Sequence, residues 1–246
     1  MALAALRLKT LTRGGALGAA AIGTCTFGAL GWPGAAVLFA FFVPAVALSR
    51  FGRVSKGALR DVGKHGARDG SQVLANGAIA AACALAALVH ALPFAAAFAG
   101  AFAAAAADTW GTEIGTLARS RPRSLRTFRP IATGLSGGVT WLGTLAQCAG
   151  GTVVAAVAAI TGVAGFVPVA AGGIAGALAD SALGATLQEL RYCGICERAC
   201  ETDPHACGSA TRRVRGIPGL GNDAVNVLST LTGAVVAVAF AIGLRP

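Results

Sequence analysis

Long apolar runs alternate with short polar connections along most of the chain. A helix takes roughly 20 apolar residues to cross a lipid bilayer, and each run approaches or exceeds that length. We therefore predict seven transmembrane helices. They cover residues 14–31, 34–48, 70–89, 92–107, 134–160, 166–187 and 224–244. The second and fourth runs are short for a crossing, so a tilted or re-entrant segment stays open for one of them.

The composition indicates the same class. The 246 residues are 55% hydrophobic and only 12% charged, whereas a soluble domain carries roughly 25% charged residues. Alanine and glycine fill most apolar positions, which is typical of membrane helices that approach closely through small side chains. We predict an all-α polytopic membrane protein, with a single transmembrane domain over residues 1–246 and a cytoplasmic Cys-rich loop at residues 189–221.

The basic residues predict how the helices are oriented. Of the 20 Lys and Arg residues, 19 fall on alternate connections, and the connections at Trp32, His90 and Gly162 carry none. The positive-inside rule then predicts a cytoplasmic N-terminus and an outside C-terminus. It also explains the net charge of +10, so no nucleic-acid partner is expected. We expect an integral protein of the inner or plasma membrane whose active site faces the cytoplasm.

Polar residues enter the cytoplasmic end of the third span. Lys64, Arg68, Gln72 and Asn76 are spaced by four, which predicts one stripe on a helix. Two cations and two amides in line could bind phosphate groups. The alternative is an interfacial helix end whose cations extend to the membrane surface, and the spacing alone does not choose between them.

Carboxylates follow the fourth span directly. If the helix continues, Asp108 shares a face with Thr112, and Thr109 shares another with Glu113. Mg²⁺ binds few protein carboxylates together with substrate phosphates and water, so this segment is a candidate Mg²⁺ site. The alternative is a helix-end ion pair with the arginines that follow.

A glycine-rich turn opens the fifth span at Ser136, Gly137 and Gly138, with Thr140 just beyond. Free amide groups at the N-terminus of a helix attract phosphate. Glycine runs in membrane proteins more often mark close packing, and packing is the favoured interpretation here.

The last two spans carry the remaining polar groups. Asp180 and Ser181 lie deep in the sixth apolar run, with Gln188 two turns after Asp180. An intramembrane carboxylate is a functional candidate by default, because its burial in hydrocarbon is costly. Asn222, Asp223 and Asn226 open the seventh span, although Asn222 could be only a helix cap. The predicted topology brings all these groups to one membrane face.

Metal-ligand residues are concentrated in the loop before the seventh span. They are Cys193, Cys196, Cys200, His205 and Cys207. A Cys-x-x-Cys pair followed by thiols or an imidazole is good spacing for tetrahedral Zn²⁺ in a structural role. Five candidates compete for four positions, and Cys193, Cys196 and Cys207 are favoured. Free thiols in a loop are the alternative.

Several ordered motifs carry a family resemblance. They are Gln72 to Gly77, Asp108-Thr109-Trp110 with Glu113-Ile114-Gly115, Ser136 to Thr140 with Gly143-Thr144, Asp180 to Gln188, and Asn222-Asp223 with Asn226. This series resembles an integral membrane family, long without an assigned function, that includes the phytyl-phosphate kinase of plant chloroplasts and cyanobacteria. Gly111-Thr112 stands where that family more often has Ala-Ser, and Cys200 has no match in its pattern.

The resemblance implies a function related to CTP-dependent phytol and dolichol kinases. A kinase of this kind would use a nucleoside triphosphate, with CTP favoured, to convert an isoprenoid monophosphate such as phytyl or geranylgeranyl phosphate to the diphosphate. The expected catalytic and Mg²⁺-binding residues are Asp108, Glu113, Asp180 and Asp223. The expected substrate-binding and phosphate-binding residues are Lys64, Arg68, Gln72, Asn76, Ser136, Gly137, Gly138, Thr140, Ser181, Gln188, Asn222 and Asn226.

Two other functions remain open at this stage. Intramembrane acids and broken helices also serve transporters or flippases for lipid-linked or anionic solutes. A membrane scaffold with a zinc loop would leave the buried carboxylates unexplained. Whether the chain forms a homo-oligomer is also open.

Overall fold

The computed structural model describes residues 2–50 and 66–243 and is mostly helical. The helices are α1 (Ala2–Arg7), α2 (Arg13–Arg50), α3 (Gly70–Ala86), α4 (Ala91–Gly115), α5 (Trp141–Ile160), α6 (Phe166–Thr186) and α7 (Asn222–Gly243). Within the described ranges, five of them are long and apolar enough to cross a membrane, and α3 is a shorter apolar helix. The predicted all-α membrane class is confirmed.

Helix α2 is a helical hairpin that contains the first two predicted spans. Gly31 interrupts it with φ 59° and ψ −149°, a conformation that glycine adopts readily. The chain then turns back on itself, since a Cβ on Gly23 would lie 4.0 Å from the Leu38 side chain. Phe27 packs edge-on against Trp32 beside the turn, with ring centroids 5.0 Å apart. At the other end, the Arg50 guanidinium donates to the carbonyl of Leu8 at 2.7 Å. The number of spans and their sidedness stay predictions.

Two predicted boundaries differ from the structure by about two helical turns, and the others by at most three residues. Helix α4 extends to Gly115 rather than to residue 107, because its polar residues continue the helix into a cavity. Helix α5 begins at Trp141 rather than at residue 134, because Gly134 and Gly137 have positive φ and Thr140 is the N-cap. The glycine-rich turn therefore precedes the helix and is not its first turn.

Helix α4 lies at the centre of the bundle, and small residues let its neighbours approach it closely. Gly172 of α6 lies against Gly100 of α4, and Gly176 lies against Ala104 one turn later. Gly233 of α7 completes the crossing, since a Cβ on Gly233 would lie 2.6 Å from the Gly100 carbonyl oxygen. Backbones meet directly here, as in membrane helix pairs joined through small residues.

Short strands occur in the connections at one end of the bundle. This end, where α3, α5 and α7 begin and α4 and α6 finish, is called the polar end below. Strands β1 (Arg123–Ser124) and β2 (Gly138–Val139) pair antiparallel between α4 and α5. Strands β3 (Leu190–Cys193), β4 (Arg198–Cys200) and β5 (Arg212–Arg215) form an antiparallel sheet in the order β4-β3-β5 between α6 and α7.

The close crossing predicts a large effect of a single methyl group. Gly233→Ala should lower the free energy of unfolding by about 1–3 kcal/mol, because the new Cβ overlaps backbone atoms of α4. Gly28→Ala is the matched control, since a Cβ on this helical glycine meets no atom within 4 Å. Thermal unfolding in detergent measures both. Equal melting temperatures for the two variants would contradict the tight crossing.

Candidate active site

A polar cavity of about 1060 Å³ opens at the polar end of the bundle. Most of the residues predicted to bind substrate or metal line it. They are Arg68, Gln72, Asn76, Asp108, Glu113, Ser136, Gly137, Gly138, Thr140, Asp180, Ser181, Asn222, Asp223 and Asn226. The structure thus brings five separate sequence segments to one cavity. Lys64 lies outside the described residues.

Asp108 and Asp180 meet at the base of this site. Their side chains are in hydrogen-bonding contact, and Asp108 also has a hydrogen bond with Thr112. Two carboxylates this close repel each other unless a proton or a cation lies between them. One oxygen of Asp180, Oδ2, is inaccessible to solvent and has no hydrogen-bond partner among the described residues. The pair is therefore suited to holding a cation.

The register of α4 against α6 produces this contact. Gly100 packs on Gly172 and Ala104 on Gly176, and the next pair in the same four-residue steps is Asp108 with Asp180. The two helices run in the same direction, so equal steps along both keep the pairs facing each other. A small residue at every fourth position before each aspartate was the sequence signal for this pairing, and the prediction did not use it.

Arg68 faces the acidic residues from an extended segment. Glu113 and Asp108 are its electrostatic partners; burial lowers the pKa of the Arg68 guanidinium, and both carboxylates oppose that shift. The Arg68 amide donates to the Thr10 carbonyl at 2.9 Å, and the Thr12 amide donates to the Arg68 carbonyl at 3.0 Å. The N-terminal segment therefore holds this cation at the cavity.

The predicted helical stripe is wrong at Arg68, because α3 begins only at Gly70. Asp69 is the N-cap: its carboxylate accepts from the Gln72 amide at 2.9 Å, while the Gln72 side chain accepts from the Asp69 amide at 3.1 Å. This capping box occupies the Gln72 side-chain oxygen. Asn76 stays on α3 one turn later and donates to the Gln72 carbonyl at 2.9 Å.

Asp223 joins α7 to the start of α3. The Ser71 hydroxyl lies 2.8 Å from Asp223 Oδ2 and 2.7 Å from Asp69 Oδ1. Asn222 is the first residue of α7. The expected Mg²⁺ ligands thus have different surroundings. Asp108, Glu113 and Asp180 interact among themselves or with Arg68, whereas Asp223 interacts with Ser71.

The glycine-rich turn packs against α6, as the packing interpretation expects. Gly137 has φ 76°, and Gly184 lies so close that a Cβ on it would be 2.8 Å from the Gly137 nitrogen. Some of the backbone amides expected to bind phosphate already donate hydrogen bonds within the protein. The Ser136 amide donates to Glu201 Oε1 at 2.7 Å, and the Gly138 amide donates to the Leu135 carbonyl at 3.3 Å.

Glu201 is a site residue that the sequence analysis missed. Its second oxygen, Oε2, accepts from the Ser136 hydroxyl at 3.0 Å and from the Gln188 side-chain Nε2 at 2.9 Å. Burial raises the pKa of Glu201, and the hydrogen bonds from Ser136 oppose the rise. A single glutamate after Cys200 in a charged loop gave no signal of this role. Lys9, Thr144 and Gln147 also line the cavity and were not predicted.

Gln188 lies behind the cavity wall and does not line the cavity. It follows the end of α6, is 2% exposed, and donates to the Ser136 hydroxyl at 2.8 Å. Its contacts position the turn, so direct substrate contact is not supported in this arrangement.

The Cys-rich loop gathers four metal-ligand side chains. Ligand atoms of Cys193, Cys196, His205 and Cys207 all lie within 4.8 Å of one another, the one such group of three or more His, Cys, Asp or Glu residues in the described part of the chain. Cys207 Sγ lies 3.7 Å from Cys193 Sγ and 3.2 Å from His205 Nδ1. Cys200 is outside this group; its buried thiol donates to the Thr202 carbonyl at 3.7 Å.

The thiols of this group differ in acidity. Hydrogen bonds with Ser209 and His205 lower the pKa of Cys207 to about 6, whereas a hydrogen bond with Cys207 raises the pKa of Cys196 to about 11. Cys207 therefore favours the thiolate form, in which sulfur binds metal.

Comparison with known proteins gives relatives along nearly the whole chain. An uncharacterized membrane protein of Methanocaldococcus jannaschii is 28% identical over 97% of this chain and 89% of its own length. One from a Synechocystis strain is 28% identical over 97% of this chain and 86% of its own. Protein PGR of Arabidopsis thaliana is 33% identical over 50% of this chain. The match covers 46% of the Arabidopsis protein, so the chain spans about half the length of that relative.

No solved structure matches this chain. A family model, by contrast, matches residues 1–234, which include every described segment of the cavity. The chain therefore belongs to the integral membrane protein family DUF92.

Proposed function

We propose that this protein is a membrane-embedded phosphotransferase. It transfers phosphate from a nucleoside triphosphate, with CTP the favoured donor, to an isoprenoid monophosphate such as phytyl or geranylgeranyl phosphate. The observation that supports this proposal is the contact between Asp108 and Asp180 beside Arg68 in one polar cavity. Carboxylates for a metal and a cation for phosphate are the groups that phosphoryl transfer needs.

The cavity suits two phosphorylated ligands. Its volume of about 1060 Å³ matches the upper range of small-molecule sites, roughly 300–1,000 Å³, which leaves room for a nucleotide beside a phosphate head group. The apolar helices around the cavity suit an acceptor with a hydrocarbon chain. Family membership and the resemblance to the phytyl-phosphate kinase support the isoprenoid class.

Asp108 and Asp180 are suited to hold Mg²⁺. The Oδ2 atom of Asp180 has no hydrogen-bond partner among the described residues, and Mg²⁺ typically binds one or two carboxylates together with substrate phosphates. Glu113 and Asp223 line the same cavity and complete the proposed acidic set. A bound Mg²⁺ would neutralise phosphate charge as it builds up during transfer.

The protein's own groups then position the reactants. An ionised oxygen of the acceptor phosphate forms a bond to the terminal phosphorus of the donor, while the bond to the bridging oxygen breaks and a nucleoside diphosphate leaves. An acceptor that is already ionised needs no strong base, and the described cavity lining contains no histidine. Arg68 neutralises phosphate charge in this proposal, and Asn76, Ser181, Asn222 and Asn226 orient the substrates.

The proposed site faces the cytoplasm of an inner or plasma membrane, where nucleotides are available. The basic residues support this orientation, since Arg13, Arg50 and Arg68 lie at the polar end with the cavity. Transport is less well supported, because the polar groups gather at one end of the bundle and transporters bind substrates near the midplane.

The proposal includes structural Zn²⁺ in the Cys-rich loop, held by Cys193, Cys196, His205 and Cys207. Three thiols and one imidazole within 4.8 Å are a common ligand set of structural zinc sites.

The first test removes the central carboxylate. Asp108→Asn and Asp108→Ala should reduce formation of the prenyl diphosphate by about 100-fold or more, because a charge-stabilising group in the site is lost. Purified protein in detergent is incubated with Mg²⁺, labelled nucleoside triphosphates and phytyl, geranylgeranyl or farnesyl monophosphate, and products are separated by chromatography.

The matched control for this test is Glu197→Gln, which neutralises an exposed carboxylate outside the cavity lining and should leave turnover unchanged. Full activity of folded Asp108→Ala would remove Asp108 from the mechanism. No product from folded wild-type protein with any donor and acceptor would favour transport instead.

A second test concerns the cavity cation. Arg68→Ala should raise the KM for the donor nucleotide and lower kcat. The substrate phosphates and the carboxylates of Asp108 and Glu113 would each lose their cationic partner. Arg68→Lys should recover part of the loss, since the charge remains without the planar guanidinium. Arg119→Gln removes an exposed cation outside the cavity lining and serves as the control. Unchanged kinetics in Arg68→Ala would exclude a phosphate role.

A third test counts the metal. Purified protein should contain about one zinc ion per chain by elemental analysis, as a four-ligand structural site requires. Cys196→Ser or Cys207→Ser should lose it, because each removes a ligand. Cys200→Ala should keep it, since Cys200 lies in the same loop but outside the ligand group. Zinc loss in Cys200→Ala with retention in Cys196→Ser would overturn this ligand set.

A further inference from the structure

Glu201 connects the Cys-rich loop with the wall of the cavity. It directly follows β4, whose residues pair with β3 in the register Cys193 to Arg198 and Arg191 to Cys200. From there its carboxylate accepts three hydrogen bonds, from the amide and hydroxyl of Ser136 and from the side chain of Gln188. One loop side chain thus fixes both the glycine-rich turn and the end of α6.

The metal ligands flank Glu201 in the sequence. Cys193 and Cys196 precede it at the β3–β4 turn, and His205 and Cys207 follow it within six positions. A metal bound by these four side chains ties the segment before Glu201 to the segment after it. The backbone carrying Glu201 is then closed into a short loop with little conformational freedom.

Arg191 provides a second support of this segment, besides the pairing of β3 with β4 and β5. Arg191 of β3 pairs with Glu189 and Asp203, and its guanidinium donates to the Thr211 hydroxyl at 2.7 Å. Asp203 in turn accepts from the Thr211 amide at 2.9 Å. These contacts hold the base of the loop, where Glu201 follows the end of β4, whereas the metal ligands join the β3–β4 turn to the segment after Glu201. The two supports are separable by mutation.

We infer that Glu201 is a positioning residue through which metal ligation in the Cys-rich loop orders the glycine-rich turn of the cavity. This inference rests on the proposed function for its catalytic consequence, but its structural part needs only the metal. Metal loss releases the loop around Glu201, the Ser136 amide and hydroxyl lose their acceptor, and the cavity wall at residues 134–138 loosens. The loop then controls the site through the order of the glycine-rich turn.

Hydrogen exchange measures this coupling directly. In wild-type protein in detergent, stripping zinc with 1,10-phenanthroline should speed amide exchange in peptides covering residues 133–139 by about tenfold or more, because a hydrogen bond to a charged acceptor is lost. Adding Zn²⁺ alone should restore the slow rate. A peptide covering residues 141–150 of α5 is the internal reference and should not change.

The decisive comparison combines the mutation with zinc removal. Glu201→Ala should show the fast exchange with zinc bound, and stripping its zinc should add little, since both changes break the same connection. Glu197→Gln, an exposed carboxylate of the same loop, should behave as wild type. If zinc removal and Glu201→Ala each sped amide exchange independently, so that their effects on the rate multiplied, the metal would act by another route. Unchanged exchange in Glu201→Ala, or in stripped wild type, would also overturn the inference.

The activity measurement separates this inference from the proposed function. Glu201→Ala and zinc-stripped wild type should each lose about 10- to 100-fold in kcat/KM for prenyl diphosphate formation, with no further loss when combined. Glu201→Asp should recover part of the activity and part of the protection of residues 133–139 from amide exchange. Coupled exchange without any kinase activity would leave the positioning role standing and remove only the proposed reaction. Kinase activity in protein whose exchange at residues 133–139 does not respond to zinc would leave the proposed reaction standing and remove the positioning role.

Discussion

Close packing of α4 against α6 is the constraint on which the site depends. Membrane helices gain little from the hydrophobic effect when they associate in lipid, so van der Waals contact between small residues must hold them together. Gly100 meets Gly172 and Ala104 meets Gly176, which brings the two backbones into contact. The same four-residue steps carry the helices on to Asp108 and Asp180. A bulkier crossing would separate the two carboxylates.

The connecting segments supply two charged residues of the site, Arg68 and Glu201, that lie outside the helices. The helices bring the carboxylates and amides to the polar end, whereas the cation Arg68 comes from an extended segment paired with residues near Leu11. Glu201 comes from the sheet of the Cys-rich loop and reaches the glycine-rich turn before α5. Irregular backbone is tolerated at the end of a membrane bundle, where it lines a polar cavity and its amides find partners.

These arrangements suit the two candidate metal-binding groups to different tasks. The Asp108–Asp180 pair lies in the cavity and has an oxygen with no hydrogen-bond partner in the described chain, which suits a metal shared with substrate. The Cys193 group is closed by its own four protein ligands, which suits a structural ion. Glu201 is the residue through which the second group can act on the cavity wall.

The sequence by itself determined the membrane class, the apolar helices and many of the polar cavity residues. Hydrophobicity and span length are local properties, and the cost of a carboxylate in lipid marks Asp108 and Asp180 wherever they pack. Only the tertiary structure decided that α2 turns back at Gly31, that Arg68 precedes α3, and that Cys200 lies outside the metal group. It alone revealed Glu201, whose partners Ser136 and Gln188 are 65 and 13 residues away along the chain. Local patterns carry no signal for such pairs, because their energy exists only once separate segments have packed together.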